Sequence, residues 1–190
     1  MFGFGKKEFN ASLLQPTGGL ISGMFFSNPN LDIETTLFYE IQIDLAPFEY
    51  DGEQEHTCVQ LDFITLPAGN YLDLENSTFN FPINPKDGYI DGSVYIAGMH
   101  NPFDVTQIVF KTADKERIEA SFRARLLFEG DSIEPANITM ETKLKFGGIE
   151  IHCYELSEMP DDKLIEFVFQ RIDKQFFIFD TEARKFEWNR

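Results

Sequence analysis

The chain has 190 residues and a net charge of −16, with 43% apolar residues, 25% charged residues and 21 phenylalanines. These values exclude a disordered chain and predict one domain with a phenylalanine-packed core, because a single core typically serves ~100–200 residues. They also disfavour nucleic acid and anionic membranes as partners, since phosphate groups are bound by basic surfaces.

The charge is unevenly distributed along the chain. Lys6 and Lys7 are followed by no lysine or arginine until Lys86, whereas residues 8–85 include twelve aspartates and glutamates. From Lys86 onward both signs are mixed. We therefore expect a binding surface for a basic protein if the fold gathers these acids on one face, and a solubilising charge if it scatters them.

The first half of the chain contains short apolar segments separated by turn residues. We predict a flexible tail over residues 1–10 within a single domain that spans residues 1–190. Candidate strands cover residues 20–26, 33–45, 57–66, 78–81, 89–97 and 105–111. Such short, punctuated strands predict a mainly β fold, an antiparallel β-sandwich or jelly-roll-like barrel of about 9–11 strands.

The second half contains the clearest periodic patterns. Within residues 117–129 apolar and polar side chains alternate, as in a half-buried antiparallel strand. A second alternating segment, 138–146, is followed by Gly147 and Gly148, which predicts a hairpin to residues 149–153. Apolar residues at helical spacing predict one C-terminal α-helix over about 160–173, and residues 176–179 and 185–188 predict a strand pair that docks the C-terminus.

Cysteine and histidine content limits the compartment and the metal chemistry. Cys58 and Cys153 are too few for a disulfide framework, and no apolar leader follows Met1, so we predict a cytoplasmic location. No apolar run approaches the length of a membrane span. His56 and His152 lie close to these cysteines without the spacing of a zinc site, so we predict Cys153 as a core thiol, His56 as a surface residue, and no metal or cofactor.

Two polar clusters are the candidate binding residues. One contains the closely spaced acids Glu49, Asp51, Glu53 and Glu55. Asp51, Glu53 and Glu55, together with Asp87 and Asp91, could supply oxygen ligands for Ca²⁺, but we favour them as solvated turn acids of an acidic binding surface. The other contains His100, Asn101 and Asp104, which we predict in a turn between two strands. The turn would either place a polar cluster at the rim of a binding site or use these side chains to satisfy backbone groups. We favour the second interpretation.

No catalytic motif or nucleophile signature occurs in the sequence. We therefore predict a non-enzymatic acidic interaction protein that binds a basic protein, as an inhibitor or an immunity-type antidote does. One alternative is a jelly-roll-type small-molecule or carbohydrate-related binding module or enzyme. Another is a structural subunit of a homo-oligomer, suggested by the two-sided apolar segments 37–39 (Leu37, Phe38 and Tyr39) and 126–128 (Leu126, Leu127 and Phe128).

Overall fold

The structure, a computed structural model, describes residues 8–128 and 133–189. These residues form two short α-helices, α1 (Tyr154–Ser157) and α2 (Asp161–Val168), and twelve strands. The strands are β1 (Pro16–Asn28), β2 (Ile33–Leu45), β3 (Phe48–Tyr50), β4 (Glu53–Glu55), β5 (Cys58–Ile64), β6 (Thr78–Asn80), β7 (Asp91–Ile96), β8 (Met99–Ala113), β9 (Arg117–Leu126), β10 (Ala136–His152), β11 (Phe177–Asp180) and β12 (Lys185–Trp188).

Ten of these strands form one sheet, which closes on itself. Strands β1, β2, β5, β7, β8, β9 and β10 are hydrogen-bonded in that order, and β10 also pairs with β1. The closing pair is parallel, with Gly19 opposite Leu144, whereas the other pairs are antiparallel. The predicted mainly β fold of sandwich or barrel type is confirmed. Strands β3 and β4 form a separate hairpin.

Alternating side chains fill the inside of the closed sheet. In β9 the predicted alternation is confirmed, since every second residue from Ile118 to Leu126 is buried while the odd-numbered residues from Arg117 to Arg125 face outward. The core is rich in phenylalanine, as predicted; Phe25, Phe103, Phe110, Phe122 and Phe186 are among its largest fully buried side chains. This dense filling is typical of a small barrel whose interior stabilises the fold.

The hairpin predicted at Gly147 and Gly148 is wrong, because β10 continues straight through both glycines to His152. At this point β12 replaces β9 as the antiparallel partner of β10, while β1 remains the parallel partner on the other edge of β10. A side chain at Gly148 would lie 2.7 Å from the carbonyl oxygen of Phe186 in β12. The glycines therefore allow three strands to approach closely, and they do not mark a turn.

The C-terminal segment packs against the sheet, as predicted, but its helix is shorter than residues 160–173. Helix α2 ends at Val168, and the chain then turns so that the backbone N–H of Asp173 donates to the carbonyl oxygen of Gly69 at 2.9 Å. The predicted strand pair is present as β11 and β12. Trp188 packs in an aromatic cluster with Tyr71 and Phe146 and donates its indole N–H to the carbonyl oxygen of Lys115.

The N-terminal tail predicted over residues 1–10 falls mostly outside the described residues, which begin at Glu8. Phe9 is buried between the rings of Tyr50 and Phe128, so the chain packs against the body from Phe9 onward. Cys153 is buried and His56 exposed, as predicted. Among the described residues, no helix has the length and apolar character to cross a membrane.

Candidate binding face

Four adjacent strands of the closed sheet carry no lysine or arginine. These are β1, β2, β5 and β7, which are neighbours in the sheet although β7 follows the other three in the chain only after Lys86. We call their outward side the acidic face. Its central carboxylates are Glu40 in β2, Asp62 in β5 and Asp91 in β7. The fold thus gathers part of the acidic segment on one side and adds Asp91 from outside that segment.

The three carboxylates form a row across neighbouring strands. Asp62 is the register partner of Asp91, and Glu40 lies opposite Asp62 between flanking pairs of β2 and β5. Partial burial and the carboxylate of Asp62 raise the pKa of Glu40, while His152 lowers it. Partial burial and the carboxylate of Asp91 raise the pKa of Asp62. Both shifts have the sign expected where negative charges meet without a strong counter-charge.

A β-bulge places an aromatic side chain next to this row. Tyr39 pairs with Ile64 and Ile41 with Leu61, so Asp62 and Phe63 together face the single residue Glu40. Phe63 adopts a left-handed backbone conformation with φ of 57°. Such a φ is strained for a bulky residue, and it turns Phe63 outward while the next residue, Ile64, is fully buried.

Phe63 is one of three phenylalanines that form an outward aromatic cluster. Its ring centroid lies 5.1 Å from that of Phe26 in β1 and 5.6 Å from that of Phe38 in β2, in edge-to-face geometry. The cluster lines an open cavity of about 580 Å³, which we call the aromatic cavity. Leu31 and Tyr89 add further apolar wall, and the two carboxylates of the lining are Asp87 and Asp91.

The other side of the closed sheet has the opposite character. Outward positions of β9 hold Arg117, Arg123 and Arg125, and those of β10 hold Lys143 and Lys145. One of these cations has a local counter-charge, since Lys143 pairs with Glu119 at 2.9 Å, and Lys111 in the neighbouring strand β8 pairs with Glu141 at 2.8 Å. The molecule is therefore electrostatically two-sided: all lysines and arginines in the strands of the sheet lie on β8, β9 and β10, except Lys185 in β12.

The predicted acids Glu49, Asp51, Glu53 and Glu55 lie on the β3–β4 hairpin. Asp51 and Gly52, with φ of 53° and 86°, form its turn, which is the geometry that Asp-Gly favours. Glu49, Asp51 and Glu53 are exposed, as predicted for solvated turn acids. Glu55 instead accepts a hydrogen bond from the backbone N–H of Ala97 at 2.8 Å, so it fixes the hairpin to the β7–β8 turn.

The prediction of a turn at His100, Asn101 and Asp104 is wrong, because the turn is formed by Ala97 and Gly98 and all three residues lie in β8. Their side chains do not converge. His100 is exposed against the ring of Tyr95, Asp104 faces outward in register with Arg125, and Asn101 is fully buried. Burial raises the pKa of Asp104, whereas Arg125 lowers it.

Asn101 is a buried polar residue at the β7–β8 hairpin. Its side-chain amide donates to the carbonyl oxygens of Met99 at 2.8 Å and Val94 at 3.3 Å. Its carbonyl oxygen Oδ1 has no hydrogen-bond partner among the described residues. These bonds attach the Asn101 side chain to the backbone of the hairpin. For Asn101, this agrees with the favoured interpretation that the side chain satisfies backbone groups.

The described residues contain no group of three or more His, Cys, Asp or Glu side chains arranged to hold a metal ion. The chain matches no protein-family model, no curated protein and no solved structure. The candidate site is therefore defined by geometry and charge: the acidic face with its row of three carboxylates, and the aromatic cavity beside it. Of the three phenylalanines of the cavity, the sequence singles out only Phe38, as part of an apolar segment that suggests a homo-oligomer.

Proposed function

We propose that this chain is a non-enzymatic interaction protein whose acidic face binds a basic protein, as an inhibitor or an immunity-type antidote does. The observation that supports this most directly is the set of four adjacent strands without a lysine or arginine. A surface that only kept the protein soluble would need a net charge but no separation of the two signs, because an interspersed surface with a net charge also serves solubility.

The electrostatics of the face favour association with a cation. Glu40 and Asp62 are partly buried beside other carboxylates, so ionising them carries a cost. A lysine or arginine from a partner would relieve that repulsion when it binds. The negative electrostatic potential of the face also attracts a basic partner before contact. Such electrostatic steering raises association rates by roughly 10–1,000-fold at low ionic strength.

Capture from a cell lysate on the immobilised chain tests the proposal. We expect a basic protein to be retained at about 10 mM and at about 150 mM salt and released at about 1 M, as the Debye length falls from ~30 Å to ~8 Å and then to ~3 Å. The captured protein is then identified, purified and used to measure the association rate. Failure to retain any basic protein at low salt would refute the proposal.

A pair of double variants locates the interaction. Glu40→Gln with Asp62→Asn removes two charges from the acidic face, and we expect the association rate with the captured protein to fall several-fold at low salt. The matched control, Glu119→Gln with Glu141→Gln, makes the same change in net charge on the opposite side of the sheet. Equal effects of the two double variants would show that net charge alone drives capture.

A further inference from the structure

We propose that the aromatic cavity is the anchor point for the basic partner, and that it takes an apolar side chain adjacent to a lysine or arginine in one short segment of that partner. This inference rests on the proposed function and specifies which surface chemistry the partner presents. A surface of charges alone would attract many cations, whereas a cavity with an apolar wall selects among them.

The walls of the cavity favour an apolar side chain in the bound segment. Phe26, Phe38 and Phe63 contact one another at their edges and faces, and Leu31, a residue that is 67% exposed, lines the cavity with them. The volume of about 580 Å³ falls within the roughly 300–1,000 Å³ of cavities that bind small ligands. Such a concave aromatic site is the kind of pocket in which binding anchors concentrate.

The negative charges at the cavity favour a cationic group in the bound segment. Asp87 and Asp91 line the cavity, and Asp62 is the register partner of Asp91. The strands that carry the three phenylalanines, β1, β2 and β5, hold no lysine or arginine, and Lys86, which precedes Asp87 in the chain, is not among the residues that line the cavity. A guanidinium or ammonium group at the rim therefore meets two carboxylates, and it can also lie against an aromatic face.

The bulge indicates that the outward phenyl group is not a by-product of packing. Uninterrupted alternation from Val59 and Leu61 would place Phe63 inside the sheet; the bulge instead buries Ile64 and turns Phe63 toward the cavity at the cost of a left-handed backbone. Strained conformations of this kind are concentrated at binding sites, where the surrounding fold enforces them.

Titration of the full chain with three dipeptide probes, followed by amide chemical shifts, tests the inference. The probes are N-acetyl-phenylalanyl-arginine amide, N-acetyl-phenylalanyl-glutamate amide and N-acetyl-glycyl-arginine amide. We expect the first alone to bind measurably, with shifts at Leu31, Phe63 and Asp91. Equal binding of the glycyl probe would refute the role of the cavity, and equal binding of the glutamate probe would refute the role of charge.

Variants of the cavity sharpen the test. Phe63→Ala should weaken binding of the phenylalanyl-arginine probe by about tenfold, as loss of an aromatic anchor does. Leu31→Ser should also weaken binding of this probe. Because Leu31 is exposed and lies outside the sheet, the variant should keep the fold of the protein. Ile178→Ser, at a 57% exposed position on β11, is the matched control and should have no effect.

The lysate capture separates this inference from the proposed function. If a basic protein is captured through the acidic face but no dipeptide binds the cavity, the proposed function stands and this inference fails. If the phenylalanyl-arginine probe binds but no basic protein is captured, the proposed function fails, and the ligand of the cavity is a small amphipathic cation.

Discussion

Substitutions of Phe63 test whether the bulge holds its backbone in a strained conformation. Replacing it by alanine removes the ring but keeps a Cβ atom in the left-handed region, whereas replacing it by glycine removes both. A left-handed conformation costs a non-glycine residue ~1–2 kcal/mol, and glycine loses ~0.5–1 kcal/mol through the extra entropy of the unfolded chain. Phe63→Gly should therefore be more stable than Phe63→Ala by about 1 kcal/mol.

Both variants also lose the edge-to-face contacts with Phe26 and Phe38, each worth ~0.5–1.5 kcal/mol. Because this loss is common to the two variants, it cancels in their difference. Urea unfolding, followed by the fluorescence of the single tryptophan Trp188, measures that difference. With a slope of ~2 kcal/mol per molar urea, the midpoints should differ by ~0.5 M.

Tyr95 supplies the control, since it is an exposed aromatic residue of β7 and is not among the positive-φ residues of the described chain. There the order of stability should reverse, with Tyr95→Ala more stable than Tyr95→Gly by ~0.5–1 kcal/mol. If Phe63→Ala equals or exceeds Phe63→Gly in stability, the bulge does not hold a strained backbone, and its role in orienting the ring is refuted.

Two further predictions use the same unfolding measurement. Gly92→Ala should destabilise the protein by ~1–3 kcal/mol, because the added methyl group would overlap the carbonyl oxygen of Phe103. The control Gly18→Ala places its methyl group in open space and should have little effect on stability. Similar losses of stability at both sites would contradict this prediction. Glu40→Gln should stabilise by ~0.2–1 kcal/mol at pH 7, since burial and Asp62 raise the folded-state pKa of Glu40 and make its ionisation unfavourable. This gain should disappear as the pH falls below the unfolded pKa of ~4.3, and a gain independent of pH would exclude ionisation as its cause.

Regular alternation made much of the fold predictable from the sequence. The pattern of Ile118, Phe122 and Leu126 determined the buried side of β9 because a strand has a period of two. The same reasoning failed at Gly147 and Gly148, since glycine serves both turns and close approach, and only the position of β12 decides between them. The helix ended early for a similar reason: a distant contact with Gly69 redirects the chain.

The candidate site was less predictable than the fold. The sequence located the acidic segment but not which acids meet, because the pairing of Asp62 with Asp91 depends on β5 and β7 being neighbours in the sheet. It also gave no direct sign of the aromatic cavity, since alternation assigns Phe63 to the interior. The two-sided apolar segment around Phe38 is the one relevant signal in the sequence, and by itself it equally predicts a contact in a homo-oligomer.

The parallel pairing of β1 with β10 has a consequence for synthesis. Gly19 is paired with Leu144, 125 residues later in the chain. At a translation rate of roughly 5–20 residues per second, β1 waits about 6–25 s for this partner on the ribosome. Until then one edge of β1, with its apolar side chains, is open to pairing with other chains. We expect nascent chains truncated before β10 to aggregate or to recruit chaperones.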